Sequence, residues 1–184
     1  MALRKIIIAA AIIAVVVLTN QSQAEQKITQ QDIANINQEL ETAFNALQHT
    51  QAVTTLHNTI DNDARITMQV ENPTLPAANR QQVLQIDKAQ YINSFLQALP
   101  HITDYKTDIS THSFDYDPQT GTAYTTDVMT ETGRMLNDMI IGESSGAKSF
   151  TSETICKTAY KNESGQIQAT QKNCKVRVSL DEFI

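Results

Sequence analysis

Pro100 separates two hydrophobic patterns, and this division limits the chain to folds that combine helices with a sheet. Before Pro100, apolar residues recur mostly every three or four positions, as on one face of a helix. After it, the chain is rich in Thr, Tyr, Ile and Phe in alternation with polar residues, which predicts strands. This order predicts an α+β domain in which about three helices pack on the concave face of a curved antiparallel sheet.

Three helices are predicted ahead of Pro100, each with a recognisable start. Thr29 and Asp32 form a capping box in front of a helix that runs to about residue 48. Thr50 caps a shorter second helix that carries Val53, Leu56 and Ile60 and ends at the turn-forming residues 61–63. Asp87 caps the third helix, and Pro100 stops it.

The predicted strands are bounded by turn sequences. Alternation predicts a strand over residues 64–71, and residues 81–86 are a second short strand after a loop that holds Pro73 and Pro76. Two long strands flank the turn at 117–121. Residues 133–147 are an irregular connection, and the last hairpin holds both cysteines.

The N-terminus has the order of a secretory signal. Arg4 and Lys5 precede an apolar run over residues 6–18, and small residues at Ser22 and Ala24 predict cleavage between Ala24 and Glu25. The rival interpretation is an uncleaved anchor, but a spanning helix needs about 20 apolar residues. We therefore expect a signal peptide over residues 1–24, one domain over residues 25–184, and a periplasmic or secreted protein without a stable membrane anchor after cleavage.

The charge of the chain excludes some partners. Its formal net charge is −6, and loss of residues 1–24 removes two basic residues and no acidic one, which leaves −8. Without clusters of Lys and Arg, the chain lacks the basic surface that nucleic acids require. Acidity also disfavours docking on an anionic membrane.

Cys156 and Cys174 are the only cysteines, and an oxidising compartment favours a disulfide between them. Zinc is disfavoured because neither has a second Cys or His at ligand spacing, and the redox motif CxxC is absent. Alternation points both sulfurs to one buried face. However, a four-residue loop at 162–165 places Cys156 opposite Gln171, so direct pairing needs a longer loop or a bulge.

The third predicted helix leads directly into a long strand–turn–strand unit. The residues are "DKAQYINSFLQALP" followed by "ITDYKTDISTHSFDYDPQTGTAYTTDVMTETG". This order of elements resembles the nuclear transport factor 2-like (SnoaL-like) superfamily. The resemblance implies a cone whose inner face lines a pocket. That superfamily includes isomerases, dehydratases and cyclases of small hydrophobic molecules, as well as non-catalytic members such as periplasmic domains of type IV secretion assemblies.

Two residues are candidates for acid–base chemistry in such a cone. Asp127 would be a buried base if the strand face with Ala123 and Met129 points inward, and a surface residue if the face with Tyr124 does. We favour the surface interpretation because unpaired Asp is rarely buried. His112 is the second candidate, and we expect it to be exposed unless a bulge intervenes.

Tyr91, Tyr105 and Tyr124 are candidate ligand-binding residues, since each could donate a hydrogen bond inside a pocket, although aromatic residues at such spacing are typically core residues. The sequence has no nucleophile elbow, phosphate-binding glycine loop or HExxH motif. We therefore expect neither a metal nor a cofactor.

The sequence leaves two functional hypotheses. The favoured one is a non-catalytic exported module that binds a small apolar ligand or an envelope protein partner, with a homodimer through the sheet as one form of assembly. The alternative is an isomerase-, dehydratase- or cyclase-type enzyme that acts on a small hydrophobic molecule through Asp127 or His112.

Overall fold

The computed structural model describes residues 27–46, 49–72, 80–135 and 148–180. The predicted signal peptide, the cleavage site at Ala24 and Glu25, the Pro73–Pro76 loop and most of the connection at 133–147 lie outside these ranges. None of the helices in the described ranges is both long and apolar enough to span a bilayer.

The described residues form three helices and six strands. The helices are α1 (Gln30–Asn45), α2 (His49–Thr59) and α3 (Lys88–Ala98), and a 3-10 turn (Leu99–His101) follows α3. The strands are β1 (Ile60–Glu71), β2 (Gln81–Ile86), β3 (Ile102–Asp117), β4 (Thr122–Met135), β5 (Lys148–Glu163) and β6 (Gln166–Leu180).

The predicted helix starts at Thr29 and Asp87 are confirmed as capping boxes. The Thr29 hydroxyl accepts a hydrogen bond from the Asp32 backbone N–H at 3.2 Å, and the Asp32 carboxylate accepts one from the Thr29 backbone N–H at 2.8 Å. Asp87 and Gln90 repeat this exchange at α3.

Two boundary predictions were wrong. The helix α2 begins at His49, so Thr50 lies inside it instead of capping it. Ile60 begins β1 instead of ending α2, because it pairs with Ala169 of β6.

All six strands form one sheet in the order β2–β1–β6–β5–β4–β3, and the helices pack against it. The predicted α+β architecture is therefore confirmed. The prediction of a wholly antiparallel sheet was wrong at one place, because β1 and β6 are parallel. The strand β1 is the first of the described strands in the chain and β6 is the last. No single turn joins them, so the sequence between them does not indicate their relative direction.

The last hairpin brings the cysteines together by a tighter turn than predicted. Glu163 pairs with Gln166 across a two-residue turn, in which Ser164 and Gly165 both have positive φ (55° and 87°). A bulge then shifts the register between Ala159 and Tyr160. The short turn and the bulge together place Cys156 opposite Cys174, so the predicted bulge is confirmed and the alternative, a longer loop, is not needed.

A disulfide joins Cys156 to Cys174 with 4.1 Å between the Cα atoms, as predicted. Both cysteines are buried on the face of the sheet that carries the helices, here called the inner face. The main core lies between the helices and this inner face and includes Phe44, Tyr91 and Tyr105. The opposite face, here called the outer face, has no described helix packed on it.

Candidate functional site

The inner face of the sheet and the three helices enclose a small cavity of about 50 Å³. Its apolar lining comes from both layers and includes Leu40, Phe44, Phe95, Ile109 and Met129. Its polar lining converges from α1, α3, β4, β5 and β6, and includes Asn37, Tyr91, Asp127, Tyr160 and Lys172. This combination of an apolar wall and a few convergent polar groups makes the cavity the candidate site.

Asp127 is buried in this cavity, with 7 % of its surface exposed. One carboxylate oxygen accepts hydrogen bonds from the Thr111 hydroxyl at 2.7 Å and the Asn37 amide at 3.2 Å. The other oxygen accepts one from the Thr125 hydroxyl at 2.6 Å. The favoured surface interpretation of Asp127 was therefore wrong: the face with Ala123 and Met129 points inward, and three donors satisfy the buried carboxylate.

Lys172 supplies the positive charge of the cavity. Its Nζ lies 5.7 Å from the centroid of the Tyr91 ring. Burial by itself lowers the pKa of Lys172, but attraction to Tyr91, Tyr160 and Asp127 outweighs it, so the pKa is raised and the ammonium is retained. Burial raises the pKa of Tyr160 to about 12, although Lys172 opposes that shift, so Tyr160 is a neutral phenol at physiological pH.

A second carboxylate, Glu131, lies farther along the inner face of β4. The Tyr105 hydroxyl donates a short hydrogen bond to it. Burial raises the pKa of Glu131, and this effect exceeds the opposite effect of hydrogen bonds from Tyr105 and Ser152. Burial and the neighbouring Glu131 also raise the pKa of Tyr105. Tyr105 and Glu131 thus form a buried donor–acceptor pair outside the cavity that contains Asp127.

Among the described residues, no group of three or more His, Cys, Asp or Glu side chains is placed to hold a metal ion. Within the cavity, the Asn37 side-chain amide donates a hydrogen bond to the Asp127 carboxylate.

Comparisons with known proteins agree with this geometry at the level of fold. No family profile matches the sequence, and no curated protein does. Among solved structures, a putative scytalone dehydratase from Novosphingobium aromaticivorans is 9 % identical, and the match covers 83 % of this chain and 87 % of that chain with a TM-score of 0.54. The chain has the nuclear transport factor 2-like fold.

Two further structures with this cone support the assignment. A conserved protein from Planctomyces limnophilus is 10 % identical, with 78 % of this chain and 92 % of that chain covered and a TM-score of 0.51. A type 2 hexachlorocyclohexane dehydrochlorinase is 7 % identical, with 83 % and 88 % covered and a TM-score of 0.51. At such low identity the likeness shows the fold alone.

The cone brings together only some of the predicted site residues. Tyr91 and Asp127 line the same cavity, and Tyr105 is buried beside Glu131. Tyr124 lies on the outer face with 48 % of its surface exposed, so it does not face the interior. His112 is exposed as expected, at a bulge between Thr111 and Ser113 in β3. The catalytic and ligand-binding roles of these residues stay predictions.

Sequence reasoning missed Asn37, Lys172 and Tyr160 as lining residues of the cavity. Tyr160 shares the inward-facing side of β5 with Cys156, which was a usable signal. Lys172 also has a signal, because it stands two residues before Cys174 and therefore on the same face. Asn37 lies among apolar positions of α1, where a buried polar residue indicates a partner across the core.

Proposed function

We propose that the chain is an exported, non-catalytic binding module that engages a protein partner through its sheet. The observation that carries this proposal is the small volume, about 50 Å³, of the cavity that the described residues form around Asp127 inside the cone. Pockets for small molecules are typically about 300–1,000 Å³, whereas a water molecule takes about 30 Å³ in the liquid. The interior thus has room for water and not for an apolar ligand.

The outer face of the sheet has exposed apolar side chains that a protein partner could contact. Tyr124 and Ile155 are 48 % and 38 % exposed there. A groove of about 320 Å³ lies beside Tyr124, Lys157 and Asn173. Exposed aromatic and aliphatic side chains within a polar surround are typical of protein-binding surfaces.

Export is supported by the pattern of residues 1–24 and by the disulfide, because disulfides persist in oxidising compartments.

An enzyme of the isomerase or dehydratase type is the second candidate, and the burial of Asp127 beside Tyr91 and Tyr160 favours it. Two of the compared structures also bear dehydratase or dehydrochlorinase names. Two facts weigh against this candidate. The cavity is too small for a substrate, and three donors from the chain itself occupy most of the acceptor positions of Asp127, since a carboxylate has about four. His112 lies in solvent and does not join Asp127.

The proposal is tested by cross-linking in the cells that produce the protein. An amine-reactive cross-linker reaches Lys157 and Lys175, which are exposed on the outer face. We expect wild type and Asp127→Asn to yield the same cross-linked complexes with other proteins, and Tyr124→Glu to lose these complexes or reduce them strongly. Gln38→Glu, at an exposed position of α1, serves as the matched control. Complexes that disappear in Asp127→Asn and persist in Tyr124→Glu would contradict the proposal, once circular dichroism has shown both variants to be folded.

A further inference from the structure

The two edges of the sheet differ in how their backbone is protected. On the β3 edge, the Asn45 side chain of α1 accepts a hydrogen bond from the Thr107 N–H at 2.7 Å and donates one to the Thr107 C=O at 2.8 Å. Glu41 accepts another from the Ile109 N–H at 3.2 Å. These side chains occupy backbone groups that another strand would need, so α1 blocks pairing at this edge.

The β2 edge has no such cover among the described residues. Residues 81–85 are all exposed, and the apolar side chains of Val83 and Leu84 are 64 % and 42 % exposed. The strand contains no charged residue and no proline, although the whole chain carries a net charge of −6. Charges and prolines are the usual devices that keep an edge strand from pairing, and β2 lacks both.

The register of β2 shows which backbone groups face outward. The Asn72 N–H donates to the Arg80 C=O at 2.9 Å, and the antiparallel pairing with β1 continues in the same register to Ile86. In an antiparallel pair every second residue exchanges both hydrogen bonds with its partner. Residues 82, 84 and 86 therefore bond to β1, and residues 81, 83 and 85 direct their N–H and C=O groups away from the sheet.

We propose that this edge is a homodimer contact, in which β2 pairs antiparallel with β2 of a second copy about a two-fold axis at Val83. The inference goes beyond the proposed function, because the β2 edge and the outer face are separate surfaces. Val83 then faces Val83, and Gln81 faces Gln85. Gln81, Val83 and Gln85 thus all form hydrogen-bonded pairs across the contact. Residues that face each other in an antiparallel pair have their side chains on the same side, so the outer faces of both copies lie on one side of a continuous sheet.

The charges beside β2 explain why a second copy fits this edge. Arg80 precedes the strand and Asp87 follows it, and both are exposed. An antiparallel pair centred on Val83 sets Arg80 of one copy opposite Ile86 of the other, next to its Asp87. The two-fold axis repeats this contact at the other end, as an isologous interface requires. Opposite charges thus meet at both ends of an uncharged strand pair.

The test is the solution mass of the exported chain by size-exclusion chromatography with light scattering. We expect wild type to have twice the monomer mass and Val83→Pro to have the monomer mass. Proline at residue 83 removes an N–H that points outward, so the bonds between β2 and β1 are retained. Val83→Lys is a second variant that keeps the N–H and adds a charge to the edge, and we expect it to be monomeric as well. Ile155→Lys, on the outer face, is the control that stays dimeric.

Two results would overturn this inference. One is a monomeric wild type, and this result leaves the proposed function intact if the cross-linked complexes with other proteins persist. The other is a dimer that survives Val83→Pro and Val83→Lys and is lost in Ile155→Lys, which would assign the contact to the outer face. Circular dichroism and thermal unfolding establish in each case that the variant is folded.

Discussion

Asp127 joins three elements of the fold through one buried carboxylate. Its donors are Asn37 on α1, Thr111 on β3 and Thr125 on β4, so the helix layer is tied to the sheet at the centre of the cone. A buried carboxylate held in this way orders the core around it, because loss of any donor removes a hydrogen bond from a buried acceptor. Alternation along β4 predicted two possible faces for Asp127, and the packing of the helices on one face of the sheet decides between them.

Glu131 makes the stability of the fold depend on pH. Its pKa is raised in the folded state, so its contribution to stability is fully present below the unfolded pKa and is lost as the pH rises through the folded value. We expect Glu131→Gln to raise the unfolding temperature relative to wild type more at pH 7.5 than at pH 4.5, because Gln still accepts from Tyr105 without a buried charge. Thermal unfolding at both pH values measures this difference.

The matched control is Glu153→Gln, whose side chain is exposed on the outer face. It should alter the unfolding temperature by the same amount at both pH values. A Glu131→Gln variant with no pH-dependent difference from wild type would contradict the burial argument.

At the scale of elements, the β5–β6 hairpin shows how the geometry of a turn determines which residues pair farther along the two strands, here Cys156 and Cys174. Positive φ at Ser164 and Gly165 allows the two-residue turn, and glycine adopts such a φ without strain. The bulge beside Ala159 completes the register that brings Cys156 to Cys174. The disulfide itself could be predicted from export and from alternation, whereas the route of the chain to it depended on backbone geometry that side-chain patterns do not specify.

The disulfide should contribute substantially to stability. It closes a loop with a sequence separation of 18 residues, and loops of this size correspond to about 3 kcal/mol in the chain-entropy model. We expect the variant with both Cys156→Ser and Cys174→Ser to unfold about 6–12 °C below wild type, since about 2–4 °C accompanies each kcal/mol for a chain of this size. Calorimetry measures the shift.

Reductant supplies the control for the disulfide. It should lower the unfolding temperature of wild type towards that of the double variant and leave the double variant unchanged. An unfolding temperature of wild type that is indifferent to complete reduction would show that the bond adds no stability.

At the scale of the whole molecule, the described helices lie on one side of the six-stranded sheet, and no described helix packs on the other side. One sheet edge is covered by α1, and the other carries exposed apolar side chains on β2. The interior has little free volume. Among the described residues, the outer face and the β2 edge are the two surfaces where we propose that partners bind.

The predicted export concerns the whole chain and is tested on the whole chain. We expect the mature protein to begin at Glu25 and to lose Arg4 and Lys5, so that its formal net charge changes from −6 to −8. N-terminal sequencing and intact mass of the protein from the exported fraction check the cleavage site. Titration of the denatured, unreduced protein should find no free thiol. A retained Met1 would contradict the predicted cleavage.

The sequence by itself determined the features that depend on neighbours a few residues apart. The capping boxes at Thr29 and Asp87, the stop at Pro100 and the alternation of the long strands are all of this kind, and together they imply the α+β class. Tertiary structure decided the inward face of β4, the parallel pairing of β1 with β6 and the place of Lys172 in the cavity. Each of these depends on contacts between groups far apart in the chain, such as Asn37 and Asp127 at a separation of 90 residues. The local periodicity of the sequence does not predict such contacts.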